Sequence, residues 1–254
     1  MSWVARPTGK LPVLKNPVLI EGLPGIGNVG KVTTDFLIDQ LKAKKVFEFH
    51  GISIPHSVFV NEKNLVELPR IELFHAKTKS RDILLLGGDV QPLSEESCYE
   101  FCDAVLALCT QLHCKDIIAL GGIGLKQVPK KPKTYCTGAD NATVKEFMKK
   151  TGVTNKLYGI VGPIVGVSGV LVGLSPEHKA HAVALLAETY GHPMYLGLKG
   201  ARELLMVLSR YLNMKINLKL LDEDMAELED EMMAREVLPK YRKFPGKGET
   251  SYIG

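Results

Sequence analysis

The chain is expected to adopt an α/β fold with a mainly parallel sheet flanked by helices, followed by a C-terminal helical extension. Three observations carry that expectation. Short apolar runs of strand length end in glycine turns, as in Pro17–Glu21, Asp82–Leu86 and Lys115–Leu120. Segments with apolar residues at helical spacing lie between them. Strands that alternate with helices in this way are the mark of βαβ units and of a sheet covered on both faces. Beyond residue 198 the pattern changes to a long stripe spaced alternately by three and four.

Taken in order, Pro17–Glu21 (PVLIE) reads as a buried strand and Gly22–Gly30 as a glycine-rich turn. Val29–Lys44 reads as a helix with Val29, Val32, Phe36, Leu37 and Leu41 near one face. Lys45–Phe49 alternates as a strand should. Shorter strands follow at Ser57–Val60, Leu65–Leu68 and Ile71–His75, with a hairpin around Asn61–Asn64. Asp82–Leu86 is a buried strand ending in Gly87-Gly88. Ser94, with Glu95 and Glu96 behind it, is placed to cap a helix running to about His113. Lys115–Leu120 is the next buried strand, ending in Gly121-Gly122. Asn141–Lys150 forms a helix closed by Gly152, and Leu157–Val161 a strand. Pro163–Leu174 is expected to be a helix with Gly162, Gly166, Gly169 and Gly173 on one face, packed closely on a sheet. Ala180–Leu186 is the last strand. This divides the chain into an α/β core over 1–197, a helical extension over 198–238 and a basic tail over 239–254.

Composition narrows the function classes. Of 254 residues, 45% are apolar and 24% charged, which is globular. The net charge of +4 is too small for a dedicated nucleic-acid binder. That sum hides a polarity: residues 222–236 carry eight acids and one arginine, and the last 18 residues carry four bases and one acid. The first twelve residues have no apolar core of the signal-peptide kind, and the most apolar stretch, Tyr158–Leu174, is broken by five glycines and a proline. The expectation is a cytoplasmic protein that binds neither membrane nor nucleic acid. Five cysteines without a CxxC spacing are expected to be buried thiols rather than a metal or redox site.

The segment Gly22-Leu23-Pro24-Gly25-Ile26-Gly27-Asn28-Val29-Gly30-Lys31 admits three readings. As a dinucleotide fingerprint, Gly25, Gly27 and Gly30 fit G-x-G-x-x-G, and Glu48 stands where an acid for ribose is wanted, although inside the second strand. As a P-loop, Gly25–Lys31 fits G-x-x-x-x-G-K, but Val32 replaces the Ser/Thr that ligates magnesium. As structure alone, the glycines permit a tight strand-to-helix turn with close backbone approach. The structural reading is preferred, leaving Gly25, Gly27, Gly30, Lys31 and Glu48 as an alternative anion or nucleotide site.

Other candidates are weaker. His178 and His181 lack a third metal ligand, and Ser168 is outside a G-x-S-x-G elbow, so it is expected to satisfy a backbone carbonyl. Lys126, Lys130, Lys131 and Lys133 form a basic loop without aromatic platforms. The stripe Leu204, Val207, Tyr211, Met214, Leu218, Leu221, Met225, Leu228 and Met232 follows a heptad, and an intersubunit or partner-facing role is expected for it. Asn213 and Asn217 are placed to break it into two helices.

The stretch IEGLPGIGNVGK, the pair LLLGG and IALGGIG, and the run GIVGPIVGVSGVLVGL resemble the PAC2 family of proteasome-assembly-chaperone-like proteins, in its archaeal branch, over about residues 15–235. The resemblance implies a fold similar to purine nucleoside phosphorylases, homo-oligomerisation, no catalytic residues and no cofactor. It implies partners in the 20S proteasome, as free α subunits or as the ring. It also implies docking through a C-terminal hydrophobic–Tyr–any tail. Here the end is Ser251-Tyr252-Ile253-Gly254, so Tyr252, Ile253 and Gly254 are the candidate tail, with the tyrosine one place short of penultimate. A nucleotide- or phosphate-binding protein, ATP-grasp-like or dinucleotide-binding, is the alternative.

Overall fold

The computed structural model describes residues 3–9, 13–51, 53–193 and 195–226. Ten strands and five α-helices follow in the order β1 (Val4–Pro7), β2 (Val18–Glu21), α1 (Val29–Gln40), β3 (Lys44–His50), β4 (Phe59–Val60), β5 (Val66–Glu67), β6 (Ile71–Lys77), β7 (Asp82–Gly88), α2 (Glu95–Gln111), β8 (Asp116–Leu125), β9 (Thr134–Gly138), α3 (Asn141–Thr151), α4 (Val167–Leu174), β10 (His181–Tyr190) and α5 (Leu198–Leu212). A further helical segment begins at Lys219 and continues to the last described residue, 226. Among the described residues no helix is long and apolar enough to cross a membrane.

Eight strands make one sheet in the order β1-β3-β6-β7-β2-β8-β10-β9, and β4 pairs with β5 as a separate hairpin. The sheet is mixed, which corrects the expected mainly parallel arrangement. Parallel pairing is confined to the centre, β7-β2-β8-β10. The wings β1-β3-β6-β7 and β10-β9 are antiparallel. The central strands look continuous in sequence because both of their faces are covered. Leu19, Leu84, Leu86, Ile117 and Ala119 face the core beneath α2 and α4, where Phe101, Val105 and Leu171 pack. The alternate residues Val18, Ile20, Ile83, Leu85, Ile118 and Leu120 face α1, α3 and α5, where Leu37, Phe147 and Leu204 pack.

Several local expectations hold for the stated reasons. Ser94 accepts the Ser97 N–H and opens α2, with Glu95 and Glu96 in its first turn. Asp140 caps α3 through the Thr143 N–H, and Gly152 closes it at φ 75°. All five cysteines are free and buried.

The differences are as informative. Gly88 lies within β7, and β8 runs on through Gly121-Gly122 to Leu125, so these glycines sit inside strands and mark close crossings by neighbouring loops. A Cβ on Gly122 would stand 2.3 Å from the Ile26 carbonyl oxygen. Leu157–Val161 is not a strand; only an isolated bridge joins Tyr158 to Val161. The helix expected from Pro163 starts at Val167, because Gly166 turns the chain at φ 87°. Nor do its glycines form a packing seam on the sheet. A Cβ on Gly169 would meet the carbonyl of the preceding loop residue Ile164 at 2.1 Å, whereas Gly173 faces open space.

The stripe beyond 198 packs largely inside the chain. Leu204, Val207 and Leu221 are buried, and Tyr211, Met214, Leu218 and Met225 pack against the same core. Helix α5 rests on α1 and β10. It ends at Leu212, where Asn213 takes a left-handed conformation, and the Asn217 side chain accepts the Lys219 N–H as the next segment begins. Leu228 and Met232 lie outside the described residues, as does the tail with Tyr252, Ile253 and Gly254.

Candidate functional site

Strands β2, β3, β7, β8 and β10 all point the same way, so their carboxyl ends form one edge of the sheet. In open α/β sheets this is the edge outside which ligands bind. Here it carries the glycine loop 22–28, the β4–β5 hairpin within 51–70, the turn 89–94, the lysine loop 126–133 and the segment 157–166.

These loops are tied together by a few polar contacts. The Gln91 amide nitrogen donates to the Pro24 carbonyl, and its oxygen accepts the Val167 N–H at 3.0 Å. The Leu93 N–H donates to the Ser53 carbonyl at 3.1 Å, and Arg70 and Asp89 exchange bonds through the Asp89 N–H and carboxylate. Below them sits a buried acid. Glu21 is fully buried at the end of β2; its Oε1 accepts the Leu23 N–H at 2.9 Å and its Oε2 is 2.9 Å from Ser168 Oγ. Ser168 Oγ also lies 2.9 Å from the Leu120 carbonyl. Burial pushes the Glu21 carboxyl up from its ordinary 4.5 to about 7, against the lowering effect of those two hydrogen bonds. Ser168 has one proton to give. A protonated Glu21 donating to Ser168, with Ser168 donating to Leu120, satisfies every group.

The glycine loop is packed against protein. A Cβ on Gly22 would stand 2.1 Å from Thr34 Oγ1 and 2.3 Å from the Gly30 carbonyl oxygen; one on Gly27 would meet Thr189 Oγ1 at 2.7 Å; one on Gly30 would meet the Leu120 carbonyl oxygen at 2.8 Å. Gly27 and Asn28 are both left-handed, at φ 62° and 51°. The Asn28 N–H is spent on the Gly25 carbonyl, and the Gly27 carbonyl accepts the Gly197 N–H. Gly25 itself is extended and has room around it. Lys31 is directed to the Gly88 carbonyl at 3.0 Å and to Asp35 at 2.9 Å. Glu48 is not brought to the loop. It sits on β3 with Lys45 at 3.3 Å and His50 at 3.6 Å, and β3 is separated from β2 by β6 and β7. At the usual strand spacing that is about 14 Å. Of the alternative nucleotide-site residues, Gly25, Gly27, Gly30 and Lys31 therefore share the loop, and Glu48 is not brought to them.

What sequence reasoning missed is the apolar character of this edge. Among the described residues, eleven exposed large apolar side chains lie in these loops, including Ile26, Val66, Leu68, Leu93, Tyr158 and Val165. Val66, Leu68 and Val165 are 69%, 67% and 83% exposed. Monomeric surfaces seldom gather apolar groups in this way without a partner. The sequence signal was available, since Val58, Val60, Leu65, Val66 and Leu68 sit on or beside the two-residue strands β4 and β5, which are too short to be covered by a sheet.

The opposite edge holds a cavity of about 350 Å³ between β8, β10, α3 and α5, lined by Asp116, Asp140, Lys150, His181, Phe147 and Tyr211 among others. Its charges are mutually engaged. Asp116 pairs with Arg81 at 2.7 Å and with His181 at 3.5 Å, and Lys150 pairs with Glu146 at 2.7 Å. The Tyr211 ring meets the Phe147 ring at 5.1 Å and the Arg81 and Lys150 cations at 5.9 and 5.4 Å. His178 meets Asp103 at 2.8 Å, so the two histidines face different partners.

The architecture is thus a mixed α/β sheet with a polar knot under one edge and exposed apolar loops above it. The chain belongs to the PAC2 family, whose model matches residues 19–235. It is 26% identical to protein MJ1210 of Methanocaldococcus jannaschii over 267 aligned residues, covering 99% of this chain and 97% of that one. Among solved structures it is similar to Pyrococcus furiosus PbaB, an archaeal proteasome activator, with 26% identity, 93% of this chain and 99% of that chain covered and a TM-score of 0.86. It also shares its fold with Pyrococcus furiosus PbaA, an archaeal homologue of proteasome-assembly chaperone, at 21% identity with 91% of each chain covered and a TM-score of 0.75.

Proposed function

We propose that this chain is a non-enzymatic, homo-oligomeric protein of the cytoplasm that associates with the 20S proteasome, as an assembly chaperone or an activator. The observation that carries this reading is the likeness to PbaB along nearly the whole of both chains. The exposed apolar edge and the charge polarity of the sequence support it. Opposite charges speed encounter, and burial of a few apolar anchors holds the complex. The partner is the α subunits or the ring they form, and the segment Tyr252-Ile253-Gly254 is one contact.

The test is association. Purified chain mixed with archaeal 20S particles, or with free α subunits, is expected to co-elute at moderate salt. Removing residues 241–254 is expected to weaken that association. No co-elution with either form overturns the reading, and unchanged affinity after the truncation removes the tail from it.

A further inference from the structure

We propose that the carboxyl edge of the sheet is a self-association face, on which two copies of this chain meet about a twofold axis. This rests on the homo-oligomeric part of the function proposed above and names the surface responsible. Two independent features of the edge support it.

The first is its apolar content. The β4–β5 hairpin, the turn 89–94 and the segment 157–166 present Val66, Leu68, Leu93, Tyr158 and Val165 to solvent. They sit on loops already fixed to one another through Gln91 and the Leu93–Ser53 bond, so little ordering is left to be done on association. A patch of about a dozen half-exposed side chains is comparable with the roughly 800 Å² per partner that a stable interface uses.

The second is charge, and it selects the occupant. Residues 89–100 carry Asp89, Glu95, Glu96 and Glu100 and no base, a net −4. Residues 126–133 carry Lys126, Lys130, Lys131 and Lys133 and no acid, a net +4. The three glutamates and all four lysines are exposed. The two segments follow β7 and β8, which flank β2, so they stand on either side of the glycine loop. A twofold axis through that loop lays the acidic segment of each copy against the lysine segment of the other, twice per pair. An isologous interface requires this kind of self-complementarity. A partner of uniform charge would be attracted by one half of the edge and repelled by the other.

The experiment is sedimentation velocity on the full chain over about 1–100 μM at low and moderate salt, with thermal midpoints recorded for each variant. Wild type is expected to associate, less so as salt rises. Val66→Glu with Leu68→Glu, both at exposed positions, is expected to reduce the mass to half or less with the midpoint unchanged. Lys130→Glu with Lys131→Glu is expected to weaken association at least tenfold. Adding Glu95→Lys and Glu96→Lys to that second variant is expected to restore most of the loss, which only an acid–lysine apposition between copies would do. A monomeric wild type at every concentration overturns the proposal, as does an oligomer indifferent to the hairpin and lysine substitutions, or a charge reversal that the second pair does not rescue. If the hairpin variant keeps its mass but no longer co-elutes with 20S particles, the edge is a proteasome contact instead. That outcome overturns self-association while supporting the proposed function. Failure of every variant and of wild type to co-elute, with association between copies intact, has the opposite consequence.

Discussion

Gly22→Ala should be among the most damaging single-methyl additions to this fold, costing at least about 3 kcal/mol. The new methyl would stand 2.1 Å from Thr34 Oγ1 and 2.3 Å from the Gly30 carbonyl oxygen, and the second of these is backbone of the first turn of α1. Thr34 could rotate, but the carbonyl cannot withdraw without moving the helix from β8, which Gly30 touches at the Leu120 carbonyl. At roughly 2–4 °C per kcal/mol for a domain of this size, the thermal midpoint should fall by about 6–12 °C. Lys31→Ala is the contrasting variant. It removes a part-exposed ion pair with Asp35 and one hydrogen bond to Gly88, and should cost about 1 kcal/mol or less. The pair of variants separates the readings of the loop. If the glycines serve close packing, Gly22→Ala is severe, Lys31→Ala is mild, and ATP, NAD and purine nucleosides leave the wild-type midpoint where it is. A ligand-induced rise that Lys31→Ala abolishes would return the loop to nucleotide binding.

The same residues explain how far the sequence could be read. The central strands were legible because burial on both faces leaves an uninterrupted apolar run, as in Val18–Glu21 and Asp82–Gly88. The outer strands β1 and β9 were not, since edge strands need no such run: β1 is Val-Ala-Arg-Pro, with three of its four residues exposed. Strand direction is equally invisible to an apolar pattern, so the expectation of a mainly parallel sheet holds for the centre β7-β2-β8-β10 and not for the antiparallel wings. The stripe from Leu204 to Met225 was correctly seen as periodic. Its partner could not be read from the period, because a helix packed on its own sheet and one packed on another subunit present the same spacing. The structure places Leu204, Val207 and Leu221 against this chain's own core. At the site, the glycines were legible as a turn, but the neighbours of Gly27 and Gly30, Thr189 and Leu120, come from two distant parts of the chain. Ser168 was expected to satisfy a backbone carbonyl and does, at Leu120; its second partner, Glu21, lies 147 residues away in sequence and carried no local signal beyond an acid at the end of an apolar strand.

That acid gives the second large effect. Glu21→Gln should raise stability at pH 8 and flatten its dependence on pH between about 4.5 and 7. The sign follows from the direction of the shift. In the folded chain the carboxyl is held near 7, above its ordinary 4.5, so across that window the folded state keeps a proton that the unfolded state has released. Stability then falls as pH rises, by an amount that two to three pKa units make on the order of 3 kcal/mol once pH exceeds 7. Below 4.5 both states are protonated and the penalty is absent. Glutamine carries no charge at any pH. Its oxygen can accept the Leu23 N–H and its nitrogen can donate to Ser168, reproducing the protonated acid; its second N–H is left without an acceptor in this site, at about 1 kcal/mol. The net gain at pH 8 is then about 2 kcal/mol, a rise in thermal midpoint of roughly 4–8 °C, turning into a loss of up to about 1 kcal/mol at pH 4.5, where only the unsatisfied N–H remains. The difference between variant and wild type, measured at each pH, cancels the titration of every other carboxylate. A variant less stable than wild type at pH 8 would mean that Glu21 is ionised and held by donors, and that the pocket under the glycine loop favours negative charge.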